Sequence, residues 1–349
     1  MTIPPILNTD ITVLKQLTAI RLDVAIWSAR KKLSAADFGS SDLPPEKLAS
    51  LGSKKVCNPE DLRIFSALKA RAVALLERNG VRFLGGWAIP EAKTASVVQE
   101  LQRIGAAFAD AKDAFLARYD EAIRQWIGDN PGWESLIAGS TVGVDTVRAR
   151  IGFGWQVFKV APPRGKSAAF TSSMVTEVQG LAKTLFDEVA KAATETWRKS
   201  YAEKAEVSHK ALSPLRVIRN KLTGLSCIEP RVAPVVDLID TACAAMPKGP
   251  IAGPHLAALQ GLIALLRDPA ALLEHGQRIR DGEDPADILR DLARNHAPVD
   301  SGAKGLGPES SASTTSADPS AIGVPVNDTA PAIDDTASGV PCLDSLGLW

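Results

Sequence analysis

The sequence predicts a mainly α-helical protein, in which a long antiparallel helical hairpin carries a small two-stranded β element and is followed by a short-helix bundle and a disordered C-terminal tail. Three observations support this prediction. Two long segments repeat apolar residues at helical spacing, several later segments begin with a proline that a first helical turn tolerates, and the end of the chain is poor in large apolar side chains.

Two segments near the N-terminus carry the pattern of β-strands. Residues 18–28 place four aliphatic side chains at alternate positions from Ile20 to Ile26, which is the period of a half-buried strand. Residues 81–89, VRFLGGWAI, have the length and aromatic content of a second strand. We expect these two strands to pair, and we expect two short strands at most in the helical body.

The next predicted element is a helix that begins near Asn58 and runs to Asn79. Asn58 is a good capping residue, Pro59 suits the first helical position, and the acidic residues that follow favour the positive end of the helix dipole. One face of this helix carries the apolar residues Leu62, Phe65, Leu68, Ala72, Leu75 and Leu76. We therefore expect that face to be buried.

Two long helices provide the arms of the predicted hairpin. From Glu91 onward, the heptad spacing typical of coiled-coil packing occurs at Val97, Leu101, Ile104, Phe108, Ala111 and Phe115. Arg118 interrupts this apolar seam, so we expect a change of packing partner there. A second helix, from Thr171 to about Val207, presents on one face Val178, Leu181, Leu185, Val189, Ala193 and Trp197. Two helices of this length most simply form an antiparallel hairpin.

The segment between the two arms, residues 147–160, fits two patterns. A helical spacing joins Val147, Ile151, Trp155 and Phe158. Alternation of apolar residues from Val147 to Val157 fits a strand as well. We favour the helix, although Gly152 and Gly154 lower helix propensity.

The chain divides into four predicted parts. Residues 1–210 form the hairpin domain with its small β element, and residues 211–295 form a bundle of short, proline-initiated helices. Residues 296–339 are predicted to be a disordered acidic linker, and residues 340–349 a C-terminal docking motif.

The composition of the last two parts explains this prediction. From His296 to Trp349, 32 residues are Ala, Gly, Pro, Ser or Thr, and seven acidic residues stand against one lysine. Such a segment buries too little apolar area to offset its ordering entropy. Because the whole chain has no net charge, the body before it carries a charge of +6.

No set of residues in the sequence specifies a reaction. There is no phosphate-binding lysine loop, and the four histidines and four cysteines do not occur at zinc-binding spacings. We therefore expect no enzyme activity, no cofactor and no metal site. Six tryptophans lie on or beside apolar patterns, which favours core packing over base stacking. Unpaired cysteines, together with the lack of a signal-peptide pattern and of an apolar run of about 20 residues, predict a cytoplasmic protein.

Small groups of basic residues are scattered along the body. They occur at Arg30-Lys31-Lys32, Lys54-Lys55, Arg198-Lys199 and the set Arg216, Arg219 and Lys221. Because acidic residues are interleaved elsewhere, a solvated surface is the simpler interpretation, and contact with DNA is the alternative.

The last ten residues concentrate large apolar side chains after a long polar stretch. Leu343, Leu346 and Trp349 have the spacing of one face of a short helix, which is typical of a docking motif, and folding back onto the body is the alternative. The candidate partner-binding residues are Leu343, Asp344, Leu346, Leu348 and Trp349.

Several motifs carry a resemblance to a known family. They include Leu22-Asp-Val-Ala-Ile-Trp27, Phe83-Leu-Gly-Gly-Trp-Ala-Ile-Pro90 and the ending Leu343-Asp-Ser-Leu-Gly-Leu-Trp349. With these motifs the chain resembles an uncharacterised bacterial family, a domain of unknown function found on integrative conjugative elements and plasmids. The resemblance implies neighbouring genes for a MoxR-type AAA+ ATPase and a von Willebrand A-domain protein, and it implies no activity.

The resemblance and the tail together favour one function. We expect a non-enzymatic helical adaptor or client of the AAA+ ATPase and the von Willebrand A-domain protein, in which the carboxylate of Asp344 supplies a ligand to a metal position of the A-domain. The alternative is a DNA-associated accessory protein of a mobile element that uses its basic helical body.

Overall fold

The computed structural model describes residues 13–34, 37, 51–161 and 168–296, and for residues 168–175 it describes the backbone alone. Helices dominate these residues, so the predicted mainly α class is confirmed. The predicted linker 296–339, apart from His296 itself, and the docking motif 340–349 lie outside the described residues.

Strands and helices alternate in the first half of the chain. The strands are β1 (Leu17–Ala25), β2 (Arg30–Lys32), β3 (Ser53–Lys55), β4 (Val81–Phe83), β5 (Gly86–Pro90) and β6 (Gly152–Phe158). The helices are α1 (Arg63–Asn79), α2 (Glu91–Ala117), α3 (Tyr119–Gly128), α4 (Glu134–Ala138) and α5 (Val144–Ala149). The predicted start of α1 is confirmed, because Asn58 Oδ1 accepts a 3.1 Å hydrogen bond from the Glu60 amide at a short 3-10 turn that leads into the helix.

From residue 168 to residue 296, helices joined by short connections are accompanied by two very short strands. Its helices are α6 (Ala168–Thr196), which continues into a π-helical turn (Trp197–Tyr201), α7 (Ser213–Leu225), α8 (Ala233–Ala244), α9 (Gly253–Arg267), α10 (Pro269–Arg280) and α11 (Pro285–His296). The strands β7 (Glu206–Val207) and β8 (Ile251–Ala252) pair with each other. Proline lies in the first turn of α7, α8, α9 and α10 as predicted, and Asp268 caps α10 by accepting a 2.9 Å hydrogen bond from the Ala270 amide.

The main sheet has four antiparallel strands in the order β4-β5-β1-β6. The predicted pairing is confirmed, since Ile20 on β1 lies opposite Trp87 on β5. The expectation of a two-stranded element is wrong, because β1 pairs with β6 on its other side and because residues 81–89 form a hairpin instead of one strand. Leu84 and Gly85 both adopt positive φ, +47° and +73°, which is the backbone of a tight two-residue hairpin turn.

Residues 147–160 combine both patterns that the sequence allowed. Helix α5 ends at Ala149, and β6 begins at Gly152, so the helical interpretation is wrong for the second half of this segment. Two glycines weaken a helix there, whereas alternation places Phe153 and Trp155 on one face of the sheet. The Phe153 ring lies 5.3 Å from that of Phe108 on α2 and 6.0 Å from that of Trp155.

The two long helices do not form a hairpin with each other. The seam of α2 is buried against α1 and the sheet in one apolar cluster, whereas α6 packs against β4, α7 and α9 in another. The two faces of the sheet explain the separation, because Trp87 and Ile89 on β5 belong to the first cluster and Ala88 between them belongs to the second. Each long helix therefore covers a different face.

The second cluster draws on both sides of the predicted boundary at residue 210. It joins apolar residues of α6 to those of α7, α8, α9 and α11. The helix is interrupted at Arg118, since α2 ends at Ala117 and α3 begins at Tyr119. The expected change of packing partner is wrong, because Phe115 and Tyr119 belong to the same apolar cluster. Burial is confirmed for Trp27 and Trp87, but the expectation fails for Trp133, which is 55% exposed.

Within the described residues, no single helix is long and apolar enough to cross a membrane, and only α9 with α10, bent by 111°, passes that test as a pair.

Candidate nucleic-acid interface

Two basic groups that are distant in the sequence meet in the structure. Strands β2 and β3 pair antiparallel, with Arg30 opposite Lys55, Lys31 opposite Lys54 and Lys32 opposite Ser53. We call these two strands the basic ribbon. Five of its six side chains are cationic. The pairing therefore brings together two groups of positive charge that lie more than 20 residues apart in the sequence.

The rest of the domain holds the basic ribbon at both ends and from one side. The Val56 amide donates to the Ala29 carbonyl over 2.9 Å at one end, and the Leu33 amide donates to the Gly52 carbonyl over 3.0 Å at the other. From α3, Trp126 Nε1 donates to the Lys55 carbonyl over 3.2 Å. Ala29, which is buried, has a φ of +52°, so the turn from β1 into the ribbon uses a backbone conformation that alanine rarely adopts.

Like charges lie directly opposite each other in the basic ribbon, which destabilises a strand pair. In one of the two like-charged pairs, Lys31 with Lys54, an acidic residue neutralises one of the charges. Lys54 Nζ lies 2.5 Å from Asp37 Oδ1, and its side chain is 9% exposed. The hydrogen bond from Lys54, with a second from the Ser34 amide, lowers the pKa of Asp37.

In the other pair, Arg30 with Lys55, no described acidic residue neutralises either charge. Arg30 Nη1 donates to Ser53 Oγ over 3.2 Å, and both Arg30 and Lys55 are exposed. Within the described part of the chain, neither has an acidic partner. Paired residues of a ribbon share one face, so Arg30 and Lys55 present side by side to solvent two charges that no described acidic residue neutralises.

A groove of about 350 Å³ runs along that face, between the basic ribbon and the start of α1. Its polar lining includes Ser28, Arg30, Lys55, Glu60, Arg63 and Ser66. Arg63 Nη1 lies 3.2 Å from Glu60 Oε2, so three cations face one carboxylate that is already paired. The groove thus offers a net positive, hydroxyl-lined surface, which suits phosphate groups.

Cys57 also lines the groove, but its chemistry is not that of a nucleophile. Its side chain is fully buried, and burial together with the nearby Asp61 carboxylate raises the pKa of the thiol to about 11. Asp61 is itself held by Arg118 at 2.6 Å. Because the thiolate is the reactive form, this cysteine is inert near neutral pH.

In the two other basic groups found in the sequence, three of the five cations form ion pairs within the described residues. Lys199 lies 2.5 Å from Glu195, Arg219 lies 2.7 Å from Asp240, and Lys221 lies 2.5 Å from Glu188. These cations connect or brace helices. The basic ribbon is therefore the group whose charge is most available to a ligand.

The candidate partner-binding residues Leu343, Asp344, Leu346, Leu348 and Trp349 lie outside the described residues. In the described ranges, no group of three or more His, Cys, Asp or Glu side chains is placed to hold a metal ion. Sequence reasoning found the two basic segments but missed their pairing, because three-residue strands of charged side chains show no apolar alternation.

Comparison with known proteins gives one match. A family model described as a protein of unknown function, DUF3150, matches residues 14–268. No curated protein and no solved structure matches the chain. The matched region runs from the residues just before β1 to the end of α9, and so includes the main sheet, the basic ribbon and both long helices. Since it covers most of the sequence, the chain belongs to the DUF3150 family of proteins of unknown function.

Proposed function

We propose that this protein is a non-enzymatic accessory protein that binds DNA through the basic ribbon. The observation that carries the proposal is the exposed pair of Arg30 and Lys55, two like charges held opposite each other without an acidic partner in the described structure. A bound polyanion would remove the repulsion between them, so binding and local stability would favour the same contact.

The shape of the ribbon supports duplex DNA as the ligand. The major groove admits a two-stranded β-ribbon, and lysine and arginine side chains beside it contact phosphates. Arg63, at the start of α1, also lines the adjoining groove, where it pairs with Glu60. No base-reading residue is assigned, so we expect binding with little sequence preference.

A salt titration with matched variants tests this proposal. The affinity of the full chain for a labelled mixed-sequence duplex is measured by fluorescence anisotropy between about 50 and 200 mM salt, since phosphate contacts release counterions. The double variant Arg30→Ala/Lys55→Ala should weaken binding at least about tenfold at low salt and should reduce the salt slope by about two. The variant Arg198→Ala/Lys199→Ala removes the same charge from the end of α6 and serves as the control.

Two outcomes would contradict DNA binding at the ribbon. One is a wild-type protein without measurable affinity for duplex at about 50 mM salt. The other is an equal loss of affinity in both double variants, which would show that net charge alone is responsible. Circular dichroism of both variants should match the wild type, because all four side chains are exposed.

The resemblance to proteins of conjugative elements and plasmids adds a setting to this proposal. DNA binding is compatible with an accessory protein of a mobile genetic element. Such a role requires no catalytic centre in this protein. The cytoplasm is the compartment in which such DNA is handled.

A second proposal rests on a separate observation, the apolar cluster in the sequence of residues 340–349. We propose that the chain is also an adaptor or client of an AAA+ ATPase and a von Willebrand A-domain protein, and that the cluster docks onto the A-domain. Leu343, Leu346 and Trp349 provide apolar contact, and the Asp344 carboxylate is the kind of hard ligand that a bound divalent cation accepts.

Pull-down of both partner proteins tests the adaptor proposal. Full-length protein should capture them, and truncation after Gly339 should abolish capture while leaving the melting temperature unchanged. Trp349→Ala should weaken capture through lost apolar contact, and Asp344→Ala should weaken it only if the carboxylate ligates the metal. Equal capture by the truncated protein would refute docking through this segment.

A further inference from the structure

We propose that two copies of this protein pair through the free edge of β6 and continue the main sheet across the interface. β6 lies at one end of the strand order and hydrogen-bonds to β1 alone among the described strands. An edge strand presents a row of unpaired backbone groups that another strand can join. The occupant we assign to this edge is β6 of a second copy.

The composition of β6 lacks the features that normally prevent such pairing. The strand reads GFGWQVF, without a charged residue or a proline, and is rich in aromatic side chains. Natural sheets usually protect their edges with lysine, proline, short strands or a covering helix. Val157 and Phe158 are instead 44% and 39% exposed, so the unprotected edge also carries apolar surface.

The opposite edge of the same sheet is protected, which gives an internal comparison. β4 is only three residues long, carries Arg82 at its centre and is covered by α6. The Arg82 amide donates to Glu188 Oε1 of α6 over 3.1 Å, so an outward-facing backbone group is already satisfied. Among the described residues, the fold thus closes one edge of the sheet with a helix and leaves the other open.

The sequence of β6 is complementary to itself when two copies run antiparallel. The register that pairs all seven residues is centred on Trp155, and it places Phe158 opposite Gly152 and Gln156 opposite Gly154. The space around Gly152 is open, so the exposed Phe158 ring of a second copy can cover it. Aromatic residues across from glycine stabilise designed and natural sheets.

The same register also buries the exposed apolar residue on the other face. Val157 shares a face with Phe153 and Trp155, the side chains that lie beside α2. Pairing places Val157 of each copy opposite Phe153 of the other, and such aromatic and β-branched cross-strand pairs are favourable. Because the strand is uncharged, a second copy meets no repulsion.

Sedimentation velocity of the full chain from about 1 to 100 µM tests the interface. We expect a concentration-dependent dimer for the wild type and a dissociation constant at least tenfold higher for Val157→Lys, since an added charge at an edge opposes pairing. The matched control is Val217→Lys on α7, where the original side chain is 38% exposed. Phe158→Lys provides a second edge variant should Val157→Lys fail to fold.

Hydrogen exchange of the β6 amides gives an independent readout. In the wild type, protection of residues 152–158 should rise with protein concentration, and in a folded edge variant it should not. A monomeric wild type at 100 µM would overturn the proposal. So would a dimer that Val157→Lys and Phe158→Lys leave intact, or one whose formation leaves β6 exchange unchanged, since each would place the contact elsewhere.

Discussion

Lys221 connects three elements through one buried charge. Its ammonium group lies 2.5 Å from Glu188 Oε2 on α6 and donates to the Glu77 carbonyl at the end of α1 over 2.7 Å, while the residue itself belongs to α7. The side chains of Lys221 and Glu188 are 10% and 21% exposed, so neither charge is fully hydrated if the other is removed.

Replacing Lys221 should therefore be costly, and replacing the pair should not. Lys221→Met leaves the Glu188 carboxylate without its cation and should lower the free energy of unfolding by about 3 kcal/mol. Lys221→Met/Glu188→Gln should recover most of that loss, because the glutamine is uncharged and keeps the oxygen that accepts from the Arg82 amide. Urea denaturation measures both values. As a control, Arg124→Met breaks an exposed pair with Glu121 and should cost less than about 1 kcal/mol.

The buried thiol of Cys57 predicts a pH dependence of stability. Burial and Asp61 raise its pKa in the folded protein to about 11, so the folded state keeps a proton that the unfolded chain loses near pH 9. The contribution is complete below pH 9 and is lost as the pH rises through 11. We expect the melting temperature of the wild type to fall more steeply over that interval than that of Cys57→Ala, and parallel pH profiles would contradict this account.

Among the elements, helices were more predictable than strands because their signals are local and long. The start of α1 at Asn58, the seam of α2 and the break at Arg118 all follow from patterns within one segment. The fourth strand and the basic ribbon depend on partners far away in the sequence, and β6 contains glycines that blur its pattern. The helical hairpin was wrongly predicted for the same reason. Heptad spacing shows which face of α2 is buried, but it does not show which element covers that face.

Helix contacts predict opposite effects for two glycine substitutions. On α9, a Cβ at Gly261 would lie 2.8 Å from Leu292 Cβ of α11 and 2.9 Å from its carbonyl oxygen, so Gly261→Ala should cost about 1 to 3 kcal/mol by overpacking. On α6, nothing lies within 4 Å of a Cβ at Gly180, and Gly180→Ala should stabilise by about 0.5 to 1 kcal/mol. Thermal unfolding compares the two variants, and stabilisation by both would show that helix propensity outweighs packing at Gly261.

At the scale of the whole molecule, one sheet separates two apolar clusters that belong to the same compact unit. Phe108 is fully buried in the first cluster, 5.0 Å from the ring of Phe65, and Leu262 on α9 is fully buried in the second. The two residues share no cluster, so their contributions to stability should be independent.

We expect Phe108→Ala to cost about 3 to 5 kcal/mol and Leu262→Ala about 2 to 5 kcal/mol. The double variant should lose the sum to within about 0.5 kcal/mol, in a single unfolding transition, because distant sites without shared partners add. Urea denaturation followed by two spectroscopic probes measures this. Two separate transitions would show that the sheet does not couple the clusters.

Helix α6, which covers β4, also limits the number of subunits that can associate through the main sheet. A subunit with two open edges can add neighbours without end and grow into a filament, whereas one with a single open edge satisfies it in the first encounter. With α6 over β4, joining at β6 produces a contact that is the same from both sides, and the described part of the main sheet then has no unpaired, uncovered edge at either end. Assembly therefore stops at the dimer. We expect fibres only from a variant in which the apolar contacts between α6 and β4 are removed.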